Sequence, residues 1–234
     1  MPVYNEANSI ERTLAELYDV VVSRTNNIDV FVAEDGSTDR TKEVLLTVRD
    51  KFDRLNVRTF AERKGYPRAA REALLAIESR YDYILFMDSD GQYEPNDFYA
   101  LWEERFQADF ILGRRRSRVE ARYRRFLSSG LNLFSRTLFH VTVRDLTSGF
   151  RLMKRSLAQT VAEQVKYSKH NFWSEFTARS AAMKISTIEV DINFRARSGS
   201  SKVYSLTKMP KVIWDEFSAL LMTWAEPHRA KLRM

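Results

Sequence analysis

Two aspartates separated by one residue, Asp88 and Asp90, follow a short apolar run at Tyr83–Met87. On a turn after a buried strand, both carboxylates can be aimed at one hard cation. Mg²⁺ and Mn²⁺ prefer such oxygen ligands, with substrate phosphates completing the coordination shell. Gln92 supplies a further carbonyl oxygen within reach, so we predict a divalent metal site formed by Asp88, Asp90 and Gln92. The alternative is a solvated turn, because Asp and Gly are ordinary turn residues.

A second acidic segment, Glu34-Asp35-Gly36-Ser37-Thr38-Asp39, also follows an apolar run. Acidic side chains at such a place can accept hydrogen bonds from a nucleobase N–H or from ribose hydroxyls. The glycine of the segment permits a tight turn, and the polar side chains after it can cap the helix that follows. We interpret Thr38 and Asp39 as turn and cap residues, and Glu34 and Asp35 as candidate nucleoside ligands.

An arginine-rich segment in the second half of the chain is the third feature that could do chemistry. The planar guanidinium group suits phosphate oxygens, so some of these side chains could hold a phosphorylated substrate and others could meet anionic lipid headgroups. A solvated basic face is the alternative, and we apply it to at least half of them. The arginines of this segment are Arg114, Arg115, Arg116, Arg118, Arg122, Arg124 and Arg125.

Alternating strand and helix patterns in the first half must position these groups. The predicted strands are Ile28–Ala33, Val57–Phe60, Tyr83–Met87 and Phe110–Leu112. The predicted helices are Ser9–Ser23, Arg40–Phe52, Arg68–Arg80 and Asp97–Phe106. This alternation predicts an α/β fold with a Rossmann-like, mostly parallel sheet flanked by helices. Ligands of such sheets bind beyond the carboxyl ends of the strands, which is where both acidic segments fall.

The second half follows a different pattern. We predict a helix at Phe126–Phe139, a loop at 145–151, and helices at 156–164 and 172–183. Alternating apolar residues at Ser186–Phe194 predict a half-exposed strand, which we expect to run antiparallel at the edge of the sheet.

The C-terminal part carries a stripe of apolar residues on one helical face at 211–225. Either this stripe packs in the core or it lies in a membrane interface, and Trp214 and Trp224 favour the interface. We divide the chain into a catalytic domain at 1–205 and an amphipathic helix with a basic tail at 206–234.

The N-terminal residues begin directly in what a doubly wound sheet would place as the loop after its first strand. We therefore expect the first strand to be missing and the sequence to be N-terminally incomplete.

The composition limits the class of protein. The chain has 234 residues, 44% of them hydrophobic, which is enough for a real core. Its 38 Lys and Arg against 31 Asp and Glu give a charge of +7, which favours anionic partners such as nucleic acid, acidic lipid or a phosphorylated substrate. The absence of cysteine excludes disulfides and thiolate metal sites. No run approaches the roughly 20 apolar residues of a spanning helix, so we expect a cytoplasmic protein, peripheral at the membrane.

Five segments together resemble the ordered motifs of family 2 glycosyltransferases. The later two are similar to those of the polyprenyl-phosphate glycosyltransferases, dolichol-phosphate mannose synthase among them, and the resemblance covers about residues 1–205. The five segments are Pro2-Val3-Tyr4-Asn5-Glu6, Glu34-Asp35-Gly36-Ser37-Thr38-Asp39, Asp88-Ser89-Asp90-Gly91-Gln92, Asp145-Leu146-Thr147-Ser148-Gly149-Phe150-Arg151 and Arg197-Ser198-Gly199-Ser200-Ser201-Lys202.

This resemblance implies a GT-A fold and a role for each matching residue. The residues implied to bind the nucleotide sugar are Pro2, Tyr4, Asn5, Glu6, Glu34, Asp35, Asp88, Ser89, Arg197 and Lys202. The residues implied to bind the acceptor phosphate are Arg115, Arg124 and Ser128. Asp88 and Asp90, together with two of these arginines, Arg115 and Arg124, would be catalytic.

Some residues depart from the family pattern. Glu34 replaces the usual first Asp, which keeps the charge and lengthens the reach. Arg63-Lys64-Gly65 and Ala73 stand where Asn and Gly are common. Arg195 and Arg197 flank the expected arginine position, and the sequence leaves open which of them contacts phosphate. Glu175 matches a recurrent acidic position, and it either pairs with an arginine or shapes the sugar pocket.

The resemblance implies inverting transfer of a hexosyl group from a GDP-mannose or UDP-glucose type donor to a polyprenyl or dolichyl phosphate, assisted by Mg²⁺ or Mn²⁺. Recruitment to an anionic membrane surface could use the basic surface, the last helix or an anchoring subunit. One rival is a family 2 transferase acting on a saccharide hydroxyl, although no clear base carboxylate is found in the second half. A nucleic-acid-binding protein fits the basic charge but leaves the strand-end carboxylates unexplained, so we expect no nucleic acid partner. An inactive scaffold is the third alternative.

Overall fold

A computed structural model of the chain describes residues 1–25, 27–116, 122–196 and 209–231. Within these residues, the strands are β1 (Pro2–Val3), β2 (Val30–Glu34), β3 (Leu55–Thr59), β4 (Tyr83–Phe86), β5 (Phe110–Arg115), β6 (Arg151–Lys154) and β7 (Thr187–Ile192). The helices are α1 (Ile10–Val20), α2 (Thr41–Arg49), α3 (Tyr66–Leu75), α4 (Asp97–Glu103), α5 (Arg122–Phe139), α6 (Arg155–Gln164), α7 (Phe172–Ala182) and α8 (Met209–Lys231), with a 3₁₀ turn at Val22–Arg24.

The strands form two sheets. The first has the order β1-β2-β3 and is parallel throughout. The second has the order β4-β6-β5-β7, in which β6 runs antiparallel to both of its neighbours and β7 runs parallel to β5. The predicted α/β class, with helices flanking a mostly parallel strand arrangement, is confirmed.

The position of the antiparallel strand differs from the prediction. The edge strand is β7, as expected, but it is parallel to its neighbour. The chain enters β7 after two helices, α6 and α7, so it runs opposite to β6 and in the direction of β5. The antiparallel strand is instead β6, inside the sheet, where the sequence indicated only the end of a loop. Its apolar core is the pair Leu152 and Met153, which is too short to show a strand period.

The N-terminal residues also differ from the prediction. Pro2 and Val3 form a short strand against Ala33 and Glu34 of β2, where a loop was expected. Residues of β2 and β4 line an apolar cavity of about 1160 Å³. This cavity separates the two sheets, and its lining includes none of the predicted site carboxylates.

The core lies on both faces of the sheets, because alternate strand side chains point to opposite sides. In β5, Phe110 and Leu112 join the cluster under α3, α6 and α7, whereas Ile111 joins the cluster under α1, α2 and α4. All three side chains are buried. This layered burial fixes the carboxyl ends of β2, β4 and β5, from which the site loops extend.

Helix α8 has acidic residues on its buried face and apolar residues on its exposed face. Its buried face carries acidic residues beside Ala219 and Leu220, and Phe217 packs on the core. Trp214 is 73% exposed, and Leu221 and Trp224 are exposed as well. The predicted apolar stripe is therefore divided between core and solvent. No helix in the described ranges combines the length and the apolar character needed to cross a membrane.

Candidate active site

The turn after β4 holds Asp88 in a hydrogen-bonded setting. The Tyr66 hydroxyl donates to Asp88 Oδ1 at 2.8 Å, and the indole Nε1 of Trp173 donates to the Tyr66 hydroxyl oxygen at 2.9 Å. Burial, followed by the charge of Asp90, raises the pKa of Asp88 to about 6, while nearby Arg115 acts to lower it. The two aspartates and Arg115 thus share one electrostatic environment.

Asp90 and Gln92 continue the same turn. The backbone N–H of Gln92 donates to Asp90 Oδ1 at 3.2 Å, and Ser89 is buried, its carbonyl accepting from the Thr13 hydroxyl at 3.3 Å. The Gln92 side-chain amide nitrogen donates to the carbonyl of Arg195 at 3.1 Å, and the Arg195 N–H donates back to the Gln92 carbonyl at 2.8 Å. These contacts tie the turn to the chain that follows β7.

The segment 145–151 packs directly against Asp88. A Cβ atom on Gly149 would lie 2.4 Å from Asp88 Oδ2, so only glycine leaves room for the carboxylate. The Gly149 N–H donates to the Tyr93 hydroxyl at 2.8 Å. Arg151 is buried and donates to the carbonyls of Leu146 and Ser148 at 2.6 and 2.7 Å. Burial lowers the pKa of Arg151 to about 10. Arg151 therefore shapes this loop from inside.

Arg115 lies at the end of β5 in a buried ion pair. Its Nε and one terminal nitrogen donate to the two oxygens of Asp145, each at 2.8 Å, and the same terminal nitrogen donates to Thr147 at 2.9 Å. Neighbouring Arg114 and Arg116 both pair with Asp191. Their side chains hold the pKa of Asp191 down at about 2. The three arginines of this segment whose side chains are described, Arg114, Arg115 and Arg116, are thus each paired with a carboxylate.

The carboxylates of Glu34 and Asp35, at the end of β2, accept hydrogen bonds from nearby backbone N–H groups. Both oxygens of Asp35 accept backbone N–H groups, from Lys64 at 2.7 Å and from Gly65 at 2.9 Å. Burial raises the pKa of Asp35, while these bonds act to lower it. Glu34 is fully buried: one oxygen accepts the N–H of Ser37, and the other has no hydrogen-bond donor and lies 3.9 Å from Lys42 Nζ.

The N-terminal loop joins this acidic segment. Asn5 has a positive φ of 54°, which brings its amide oxygen to the N–H of Thr38 at 2.8 Å. The Glu6 N–H donates to the Thr41 hydroxyl at 2.9 Å. The guanidinium of Arg63 stacks on the Tyr4 ring, 4.1 Å from its centroid. Pro2 lies in β1 beside this loop. The predicted nucleoside-binding residues of the first two motifs therefore lie together.

Several predicted site residues lie outside these contacts. Arg197 and Lys202 fall outside the described residues, and of the side chains of Arg124 and Ser128 in α5 nothing is described. Arg195, the other candidate for the phosphate position, forms a bidentate ion pair with Glu16, at 2.8 and 2.6 Å, and a further pair with Glu94.

A divalent cation fits the Asp88 and Asp90 pair as a site that substrate has to complete. Among the described residues, no three His, Cys, Asp or Glu side chains are grouped to hold a metal ion by themselves. Two carboxylates with the remaining positions taken by water and substrate phosphates match the preference of Mg²⁺ for partial protein coordination. The raised pKa of Asp88 reflects buried negative charge that a cation would balance.

Sequence reasoning missed Tyr66, which donates to Asp88, Trp173, which donates to Tyr66, and Tyr93, which accepts from Gly149. Their partners are distant in the chain: 107 residues separate Tyr66 from Trp173. Of the two alternatives for Glu175, pairing with an arginine or shaping the sugar pocket, the ion pair is confirmed. It is buried, pairs with Arg179 at 2.8 Å and accepts three backbone N–H groups from residues 166–168.

Solved structures of the same architecture include glucosyl-3-phosphoglycerate synthase from Mycobacterium tuberculosis in complex with Mn²⁺, uridine-diphosphate-glucose and phosphoglyceric acid. The TM-score is 0.70 with 17% identity, and the match covers 96% of this chain and 78% of that one. The same enzyme has been crystallised with Mg²⁺ and uridine-diphosphate, again with a TM-score of 0.70. This likeness shows that the fold is the GT-A fold of nucleotide-sugar-dependent glycosyltransferases.

The family model of glycosyl transferase family 2 matches residues 1–162, and the chain belongs to that family. It is therefore a glycosyltransferase. Undecaprenyl-phosphate mannosyltransferase from Micrococcus luteus is 26% identical over 211 residues, covering 87% of this chain and 85% of the relative. Dolichyl-phosphate beta-glucosyltransferase from Dictyostelium discoideum is 23% identical, covering 96% of this chain and 75% of the relative. These relatives, by their names, transfer sugars to polyprenyl phosphates.

Proposed function

We propose that this glycosyltransferase transfers a hexosyl group from a nucleotide sugar, of the GDP-mannose or UDP-glucose type, to a polyprenyl or dolichyl phosphate with inversion at the anomeric carbon. The observation that carries the proposal is the common environment of Asp88, Asp90 and Arg115, in which the carboxylate pair that follows β4 lies near the arginine at the end of β5. Relatives named for undecaprenyl and dolichyl phosphate acceptors support the lipid acceptor.

On the donor side, the loop at 2–6 and the segment after β2 form the nucleoside pocket. Asp35 fixes the backbone of Lys64 and Gly65, so it sets the shape of the pocket wall. Tyr4 and Arg63 present a stacked ring and guanidinium beside it. Ser89, in the turn after β4, is a further donor contact. Arg197 and Lys202 complete the donor contacts in this proposal.

Asp88 and Asp90 hold a Mg²⁺ or Mn²⁺ ion in this proposal, with Gln92 next to them. When bound, the cation takes up the negative charge that develops on the leaving diphosphate. The fixed position of the Asp88 carboxylate, between the Tyr66 hydroxyl and Gly149, supports this assignment.

On the acceptor side, a phosphate oxygen is already ionised at neutral pH, so the chain needs no general base to remove a proton. The oxygen attacks the anomeric carbon from the face opposite the diphosphate. The new carbon–oxygen bond forms as the old one breaks, which inverts the configuration. Arg115, Arg124 and Ser128 hold the phosphate, because guanidinium groups bind phosphate oxygens through parallel hydrogen bonds.

The acceptor brings the enzyme to an anionic membrane surface, where it acts as a peripheral protein. Helix α8 supports this part of the proposal: Trp214 is 73% exposed, Leu221 is 50% exposed, and Lys211 lies exposed one turn from Trp214. Trp prefers the membrane–water interface, and basic residues are attracted to anionic lipid. The overall charge of +7 matches such a surface.

The test is a screen of GDP-mannose and UDP-glucose with Mn²⁺ or Mg²⁺ and a short-chain polyprenyl phosphate, scored by lipid-linked product. Free saccharides serve as competing acceptors. We expect product on the polyprenyl phosphate with one donor, and loss of product in Asp90→Asn. Asp109→Asn is the matched control, because Asp109 pairs with Lys154 and Ser186 away from the site and exchanges the same atoms. Transfer to saccharide hydroxyls alone would overturn the acceptor assignment.

A further inference from the structure

A run of hydrogen bonds ends on the Asp88 carboxylate. Trp173 Nε1 donates to the Tyr66 hydroxyl oxygen at 2.9 Å, and that hydroxyl in turn donates to Asp88 Oδ1 at 2.8 Å. Because the indole N–H can only donate, it leaves the Tyr66 hydroxyl proton free to point at the carboxylate. The direction of both bonds is therefore determined by the chemistry of the groups.

The indole that begins this run is held on several sides. Trp173 is 1% exposed. The Phe86 ring meets it edge-on at 4.5 Å, and the Arg151 guanidinium lies 4.3 Å from its centroid. Its backbone N–H donates to the side chain of Asn171 at 2.9 Å, the N-cap of α7. Burial and these contacts restrict the indole, which keeps its N–H aimed at Tyr66.

The run also extends to the last helix. The Asn171 N–H donates to Glu216 of α8 at 2.9 Å. Four elements, namely α8, α7, α3 and the turn after β4, are thus connected by bonds between 2.8 and 2.9 Å. Gly149 packs against Asp88 as well, because a Cβ at position 149 would lie 2.4 Å from Oδ2.

We propose that Tyr66 and Trp173 are positioning residues that fix the Asp88 carboxylate for a divalent cation, with Trp173 acting only through the Tyr66 hydroxyl. Partners that orient a metal-binding carboxylate set its affinity, and their removal typically costs about 10- to 100-fold in binding. The inference rests on the proposed function, because it takes Asp88 as a metal ligand.

The experiment measures Mn²⁺ affinity by electron paramagnetic resonance, in the presence of the nucleoside diphosphate of the active donor and without turnover. The variants are Tyr66→Phe, Trp173→Phe and the double variant. The control is Tyr99→Phe, since the Tyr99 hydroxyl also makes one bond of 2.8 Å, to the carbonyl of Val20, away from the site. Thermal unfolding is recorded for each protein.

We expect Tyr66→Phe to weaken Mn²⁺ binding by about tenfold or more and Tyr99→Phe to leave it within about twofold. Trp173→Phe should weaken it less, and adding it to Tyr66→Phe should change the affinity no further, although the loss of packing lowers the unfolding temperature again. This separation of affinity from stability distinguishes positioning from a structural role.

Unchanged Mn²⁺ affinity in Tyr66→Phe, or equal losses in Tyr66→Phe and Tyr99→Phe, would overturn the positioning role while leaving the proposed function intact. An additional loss of affinity in the double variant would show that Trp173 acts independently of Tyr66, and would overturn that part. Failure of the unsubstituted protein to bind Mn²⁺ would overturn both the metal assignment and this inference.

Discussion

Gly149 is the residue whose replacement tests the site most directly. It does not adopt a positive φ, so its backbone conformation is open to any residue. What it provides is space: a Cβ at this position would lie 2.4 Å from Oδ2, 2.9 Å from Cγ and 3.0 Å from Oδ1 of Asp88. Gly149→Ala therefore pushes on one carboxylate and leaves the chemistry of every site residue unchanged.

The magnitude follows from the contact distances. Ordinary contact with a Cβ begins at 3.4 Å, so the Asp88 carboxylate or the loop at 149 has to move by about 1 Å. A misplacement of about 1 Å at reacting groups costs on the order of 100-fold in rate. Overpacking of this kind costs about 1–3 kcal/mol in stability. We expect Gly149→Ala to fold, with kcat/KM reduced by about two orders of magnitude and with weakened Mn²⁺ binding.

The assay compares kcat/KM for lipid-linked product, Mn²⁺ affinity and urea unfolding in Gly149→Ala and Gly130→Ala. Gly130 lies exposed in α5, with no atom within 4 Å of its added Cβ. Alanine there should raise stability by up to about 1 kcal/mol through helix propensity and leave activity unchanged. If Gly149→Ala binds Mn²⁺ and transfers sugar like the unsubstituted enzyme, the position of Asp88 is not what catalysis requires, and the argument fails.

Further predictions concern the protonation of Asp88, two ion pairs and helix α8. With the pKa of Asp88 raised to about 6, Mn²⁺ affinity measured by calorimetry should fall as pH drops through that value, because a protonated carboxyl does not ligate. In the metal-free protein the folded state holds this proton more tightly than the unfolded chain. The free energy of unfolding, measured at a series of pH values, should therefore contain a contribution from Asp88 that declines as pH rises from 3.8 to about 6. Asp145→Ala should cost about 3–5 kcal/mol in urea unfolding, because it removes the carboxylate that accepts two side-chain hydrogen bonds from buried Arg115, whereas Asp191→Ala, on a partly exposed pair, should cost about 1 kcal/mol or less. Trp214→Ser should weaken binding to anionic vesicles in a flotation assay by about tenfold, and Phe106→Ser, which changes an 80% exposed aromatic away from α8, should not.

Local patterns in the sequence located most of the elements and left their connections undetermined. The strand before Asp88 is visible because Ile84 and Phe86, which are buried, belong to a continuous apolar run whose other members, Tyr83 and Leu85, are partly buried against the second core cluster. Strand β6 escaped detection because its burial comes from neighbours on both sides, not from a period of its own. The direction of β7 depends on how many helices precede it. The alternation of its side chains shows which face is buried but not in which direction the strand runs.

The same division applies to the site. Asp88 and Asp90 are recognisable from their spacing after a strand, since one turn must carry both. The contact between Tyr66 and Trp173 joins residues 107 positions apart, and only the packed helices bring them together. The resemblance groups Asp35 with residues of the N-terminal loop, and the Asp35 N–H donates to the carbonyl of Val3 at 2.8 Å, but its bonds to the backbone of Lys64 and Gly65 follow from a loop geometry that composition does not encode.

Charge balance limits what Arg115 can contribute to holding an acceptor. Its guanidinium arrives with its charge already compensated by Asp145 at 2.8 Å, and Arg195 is likewise compensated by Glu16 and Glu94. A phosphate bound at Arg115 would gain hydrogen bonds without gaining net positive charge. Two anionic substrates in one cleft repel each other, and a divalent cation at Asp88 and Asp90 is balanced by those two carboxylates, so it leaves no net positive charge for the acceptor. We therefore propose that Arg124 and other basic residues supply the net positive charge on the acceptor side, and neutralising Arg124 should raise the KM for polyprenyl phosphate more than the KM for the donor.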